Sequence, residues 1–185
     1  MNFDDVKRRY KANNKILFRK ESPSFVSLNN QLQTADRQVV VLWALDCAKE
    51  ALREFNKDYP NELRAKTCID SCEQWAFNET SMKHAKKAIL DLHSAAKEKD
   101  DLVFQSYCHA IAQAGSCVHT QKHALGLVLY ECSACIFKYG FEKGLDQVIQ
   151  KIDFYHERLN YWQNEPSKSR LNWALFLRKK ENDRI

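Results

Sequence analysis

The sequence predicts an all-α fold, a compact multi-helix bundle or α-α superhelix-like array of about six to eight helices around a buried central helix. Three observations carry this. Apolar residues recur at three- and four-residue steps through successive segments between Leu42 and Tyr139. Four glycines and three prolines leave few turn-makers for a many-stranded sheet. The stretch from Ala124 to Phe137 is apolar nearly all round, with Glu131 its one charge, and a helix without a polar face belongs in the middle of a bundle.

Pro23, Pro60 and Pro166 stand where the helical period breaks. Thr34 is the expected N-cap of a first long helix running to about Lys57, with Val40, Val41, Ala44, Ala48, Ala51, Leu52 and Phe55 on its apolar face. Asn61 is expected to cap the next, whose stripe contains Cys68, Ile69, Cys72 and Trp75. Thr80 is expected to start a third, with Met82, Ala85, Ile89, Leu92 and Ala96 inward and its lysines outside. A fourth runs from about Leu102 to Val118 and buries Val103, Tyr107, Ala110, Ile111 and Ala114. Thr120 is the expected cap of the fifth, central helix. Two further helical segments, about Glu142 to Gln163 and Lys168 to Glu181, carry Trp162 and Trp173.

A chain of 185 residues suits one domain, able to bury roughly 70% of its unfolded surface. We divide it into a basic arm (residues 1–33), a helical core (34–140) and a C-terminal helical extension packed on the same domain (141–185). Net charge is +5, unevenly spread. Residues 1–21 and 168–185 each carry +4, which leaves a mildly acidic body of −3 between them. With no apolar run long enough for a membrane span or a signal-peptide core, the expectation is a soluble, cytoplasmic protein. Seven cysteines, an odd number, fit a reducing compartment and small core residues.

Cys132 and Cys135 have the spacing of a redox pair, but they fall late in a buried helix, where the dipole disfavours a thiolate, so core packing is the better reading. Cys68 and Cys72 are one turn apart, as are His119 and His123, so the four could form a tetrahedral zinc site. Both cysteines are already explained by their apolar stripe, and a domain of this size needs no metal to fold, so the expectation is no cofactor. His119 and His123 flank Thr120, where a helix start favours an anionic group; the plainer reading is that they satisfy helix-end hydrogen bonds. Asp46 and Glu131, acids within apolar runs, need partners if buried, and Arg64, Lys66 or a histidine are the candidates. No phosphate loop, nucleophile elbow, His-Glu-x-x-His or paired helical carboxylates appear, which weighs against an enzyme. The basic segments Lys7–Lys11 and Arg178–Lys180 could touch phosphates, but an acidic body without a nucleic-acid fold disfavours that partner.

Several short segments, in order, carry a resemblance: Trp43-Ala-Leu-Asp46-Cys47-Ala48; Tyr59-Pro60-Asn61 followed by Arg64 and Lys66; Trp75-Ala76 with Glu79; Leu92-His93 with the alanines after it; and His119 through His123-Ala124 to Gly126. Together they resemble a bacterial family of immunity proteins, the immunity-five-like group of polymorphic toxin systems. Phe77-Asn78 replace the Arg-Gly of that family's pattern, and Lys66 stands for an arginine. The resemblance implies an all-helical binder of a cognate protein toxin domain, without catalysis, with Asp46, Arg64, Trp75, His93, His119 and His123 as motif residues. A homodimer is compatible with this reading. The alternative from the residues themselves is a small metal-binding or catalytic helical protein using His119, His123 and nearby acids.

Overall fold

Eight α-helices and no strand are formed by the residues that the computed structural model describes, 1–165, 167 and 171–178. They are α1 (Asp4–Lys11), α2 (Val26–Thr34), α3 (Arg37–Asp58), α4 (Arg64–Ala76), α5 (Met82–Ala95), α6 (Leu102–Ser116), α7 (Ala124–Tyr139) and α8 (Phe141–Asn164). The expected central helix and its neighbours are present; the helix starts are where the sequence reading went astray. Thr34 ends α2 and turns its hydroxyl back to the Asn30 carbonyl, so Asp36 caps α3 by accepting from the Gln38 N–H at 3.1 Å. Asn61 caps nothing, and α4 opens with the Glu62 carboxylate accepting from the Arg64 N–H. Ser81 rather than Thr80 caps α5, which leaves Met82 51% exposed. Thr120 makes no side-chain cap; residues Gln121–His123 form a 3-10 turn, and α7 begins only at Ala124.

Residues 1–33, expected as a basic arm, contribute α1 and α2 and bury Val6, Leu17, Phe18, Phe25, Leu28 and Leu32. The Leu17 N–H donates to the Ser133 hydroxyl of α7 at 3.0 Å, which ties this segment to the core through a backbone group. At the other end, the helix expected from Lys168 to Glu181 is not formed where it can be followed. Residues 171–178 run as a strap with a 3-10 turn at Leu175–Leu177, and the rest of that expectation lies outside the described residues. The strap is held by the Ala174 N–H donating to the Ala76 carbonyl at 2.9 Å and by Trp173 packing edge-on against Phe77.

The core is centred on two helices. α6 packs against α3, α4, α5 and α7, and α7 packs against α6, α8, α3 and α2. Trp43, Phe55, Phe104, Tyr107 and Ile111 are among its largest fully buried side chains. α7 and α8 meet so closely at Gly144 that a Cβ there would lie 2.5 Å from the Ile136 Cα. All seven cysteines are free and buried, as expected of small core residues. Burial raises the Cys135 thiol to about 12 and Cys132 well above its ordinary value, which disfavours the thiolate that redox chemistry needs.

Candidate functional site

The residues singled out from the sequence fall into three places. Asp46, on α3, accepts from Arg158 Nε at 2.6 Å and from Trp162 Nε1 at 2.9 Å, both on α8. The partners expected for it, Arg64, Lys66 or a histidine, are engaged elsewhere. Glu131 behaves similarly. It is fully buried, Tyr155 Oη donates to it at 2.6 Å, and Lys151 forms an ion pair with it. The backbone carbonyl of Tyr155 in turn accepts from Trp43 Nε1 at 2.9 Å. Burial alone would lower the Lys151 ammonium, but the Glu131 carboxylate outweighs it and raises Lys151 above its ordinary value. These two networks fasten α8 to α3 and α7, the first half-exposed and the second buried.

Arg64, at the start of α4, forms the second place. It grips Glu62 through Nε (2.8 Å) and Nη2 (2.7 Å) and Glu98 through both terminal nitrogens (2.7 and 2.8 Å). Its hydrogen bonds hold the Glu62 and Glu98 carboxyls below their usual range. Lys66 pairs instead with Asp70.

The third place gathers Trp75, His93, His119 and His123 at the ends of α4, α5 and α6 and the turn before α7. His119 stacks on the Trp75 ring, with centroids 6.3 Å apart and planes 20° off parallel; Phe176 of the strap packs on the same tryptophan at 5.1 Å. Arg37 locks this assembly. Its guanidinium donates to the carbonyls of His119 (2.8 Å), Val118 (3.2 Å) and Phe176 (3.2 Å). Of the motif residues, His119 alone has its side chain exposed; Trp75 is buried, and the other motif residues are partly covered.

His123 Nδ1 lies 2.7 Å from the Gln113 side-chain oxygen. Gln113 reaches it by crossing α7 at Gly126, where a Cβ would lie 2.7 Å from that same oxygen and 2.9 Å from the side-chain carbons. The spacing from His123 to Gly126 thus acquires a physical reason: the glycine makes room for the group that orients the histidine. His93 Nδ1 lies 2.9 Å from Nδ1 of His109, whose ring packs on Tyr130 at 5.0 Å. Burial, His93 and Lys97 bring His109 down to about 4. Burial first, then His123 and Lys97, also lower His93, so near neutral pH the pair is uncharged and shares one N–H between its facing nitrogens.

Sequence reasoning missed His109, Gln113 and Arg37. His109 follows the buried Tyr107 and Cys108 in an apolar stripe, and only its spacing of four from Gln113 hinted at a shared face. The four residues weighed for zinc do not assemble. Cys68 and Cys72 press their sulfurs together over Gly115, while His119 and His123 are held by Trp75 and Gln113. Among the described residues no group of three or more His, Cys, Asp or Glu side chains is placed to hold a metal. The arrangement brings oriented imidazoles and stacked rings together near the ends of α4, α5 and α6.

The fold is an all-α domain whose motif side chains contact side chains of other segments. The chain belongs to the family described as Imm-5 like putative immunity protein, whose model matches residues 30–158, more than half of the sequence. The match extends beyond the segments from Trp43 to Gly126 that carried the resemblance. No curated protein and no solved structure matches the chain.

Proposed function

We propose that this protein neutralises a cognate toxin domain by stoichiometric binding in the cytoplasm, with no chemical step of its own. The observation that carries this reading is membership of the immunity family across residues 30–158. The geometry agrees with it. Asp46, Arg64, His93 and His123 spend their hydrogen bonds on neighbouring side chains, and Trp75 is packed beneath His119 and Phe176. In this reading they fix the surface rather than form it, and His119 is the motif residue left to meet a partner.

The test is affinity purification of the tagged protein from its native cells, with mass spectrometry of what elutes in one-to-one ratio. Recovery of a multidomain protein whose terminal domain is toxic when expressed alone, and harmless when co-expressed with this chain, is the expected result. A recovered toxic domain that stays equally toxic on co-expression would overturn the proposal.

A further inference from the structure

We infer that the cleft between the N-terminal segment and the start of α7 is a docking groove for an acidic, partly apolar segment of the partner protein; the inference rests on the immunity reading for its choice of a protein partner. The cleft has a volume of about 980 Å³. One wall is α2 and the segment around residues 16–21, and the other is the turn at Gln121–Lys122 with the first turns of α7. The family match begins at residue 30, so one wall lies largely outside the family region and the other within it.

Charge decides what fits. Arg9, Arg19, Lys20 and Lys122 line the cleft against a single acid, Glu21. Several bases outside the cleft are matched by acids: Arg64 by Glu62 and Glu98, Lys138 by Asp58, Lys151 by Glu131, Arg158 by Asp46. In the cleft, Arg9, Arg19 and Lys122 make no ion pair among the described residues, and Lys20 makes only the loose, exposed 3.5 Å contact with Glu21. Arg9 is held with both Nε and Nη2 on the Ile16 carbonyl, at 2.9 and 2.6 Å, so one cation is already fixed in place. Burial and the neighbouring Arg19 lower its affinity for a proton, and the nearby Asp5 offsets this only in part.

Between these charges the lining is mixed: Ile16 and Leu129 are half-buried, Leu32 and Leu125 lie buried beneath, and Asn29, Gln33 and Gln121 add polar groups. A segment that alternates carboxylates with aliphatic side chains satisfies both, the carboxylates at the basic rim and the aliphatic groups on the floor. A nucleic-acid strand fits less well, because single strands need aromatic faces on which bases stack. The aromatic ring lining this cleft, Phe18, is 1% exposed.

The test needs no toxin. A fluorescein-labelled octapeptide of alternating Glu and Leu is titrated against the full chain by anisotropy, beside the Lys and Leu octapeptide and a twelve-residue oligothymidylate. Arg19 and Lys20 are both exposed, so the R19E/K20E variant is expected to fold normally, as circular dichroism and thermal unfolding would verify. K86E/K87E, on α5 and outside the cleft, controls for net charge. The expected result is saturable binding of the acidic peptide alone, weakened by about tenfold or more in R19E/K20E, little changed in K86E/K87E, and reduced by added salt. No binding of the acidic peptide, equal loss in both variants, or tighter binding of the oligothymidylate would each overturn the groove. So would undiminished affinity of R19E/K20E for a captured toxin, which would leave the immunity reading standing.

Discussion

Asn78 sits at φ +64° just beyond the last turn of α4, where the chain must adopt a left-handed conformation. The Glu79 N–H returns to the Gln74 carbonyl at 2.7 Å and the Asn78 N–H to Trp75 at 3.2 Å, the paired closure of a Schellman motif. The family pattern cited above has glycine here, and asparagine is the next residue that tolerates this geometry, so the departure preserves the turn that sets Trp75 and Phe77. Asn78→Gly is therefore expected to leave stability unchanged or slightly higher, and Asn78→Ala to lower it by about 1 kcal/mol, as urea unfolding would show. Asn13, at φ +53°, closes α1 in the same way. Glu131 makes a larger claim on the fold. Replacing it with Gln keeps the volume but leaves the Lys151 ammonium, largely buried, without its counter-charge. A loss of about 3 kcal/mol is expected in denaturant titrations, and much less for the double change of Glu131 to Leu and Lys151 to Met.

At the scale of elements, the close approach of helices is set by glycine. At Gly144 the atoms that a methyl group would meet are backbone, the Ile136 Cα at 2.5 Å and the Cys135 carbonyl oxygen at 2.9 Å, and these cannot rotate away. Gly144→Ala should force α8 off α7 and lower stability by about 1–3 kcal/mol. At Gly126 the neighbour is the Gln113 side chain, which can swing aside, so alanine there is expected to loosen His123 more than the fold. Differential scanning calorimetry of the two variants checks the ordering: a smaller fall in Tm for Gly144→Ala than for Gly126→Ala would contradict the packing argument. The strap at residues 171–178 belongs to the same scale. It is extended because its anchors, Ala174 on Ala76 and Trp173 on Phe77, lie on another element and override local helical preference.

For the whole molecule, the histidine cluster sets a pH dependence. An unfolded histidine titrates near about 6.5, whereas burial brings folded His109 down to about 4 and also lowers His93 and His123. Between about 6.5 and about 4 the unfolded chain therefore binds more protons than the folded one. The stability these groups contribute is complete above the unfolded value and is lost as pH falls towards the folded one. Protonating both rings of the His93–His109 pair would also set two N–H groups against each other. Chemical unfolding measured at pH 7, 6, 5 and 4 should thus show a declining free energy, and His109→Gln should flatten the decline; an unchanged slope would remove the cluster from the account.

The sequence by itself determined that the chain is all-α, which segments are helical between Leu42 and Asn164, and most of the faces they bury, because a period of 3.6 residues is a local property written in side-chain order. By resemblance it also singled out Asp46, Arg64, Trp75, His93, His119 and His123. Only the tertiary structure decided what each of them touches. Arg158 lies 112 residues beyond Asp46, Arg37 is 82 residues before His119, and the two walls of the basic cleft are about as far apart in sequence. Helix starts were misplaced at Thr34, Asn61, Thr80 and Thr120 because several polar residues near each boundary could cap, and the choice among them rests on where the incoming chain is packed. No local rule reports such pairings, since they exist only once helices distant in the chain have been brought together by burying their apolar faces.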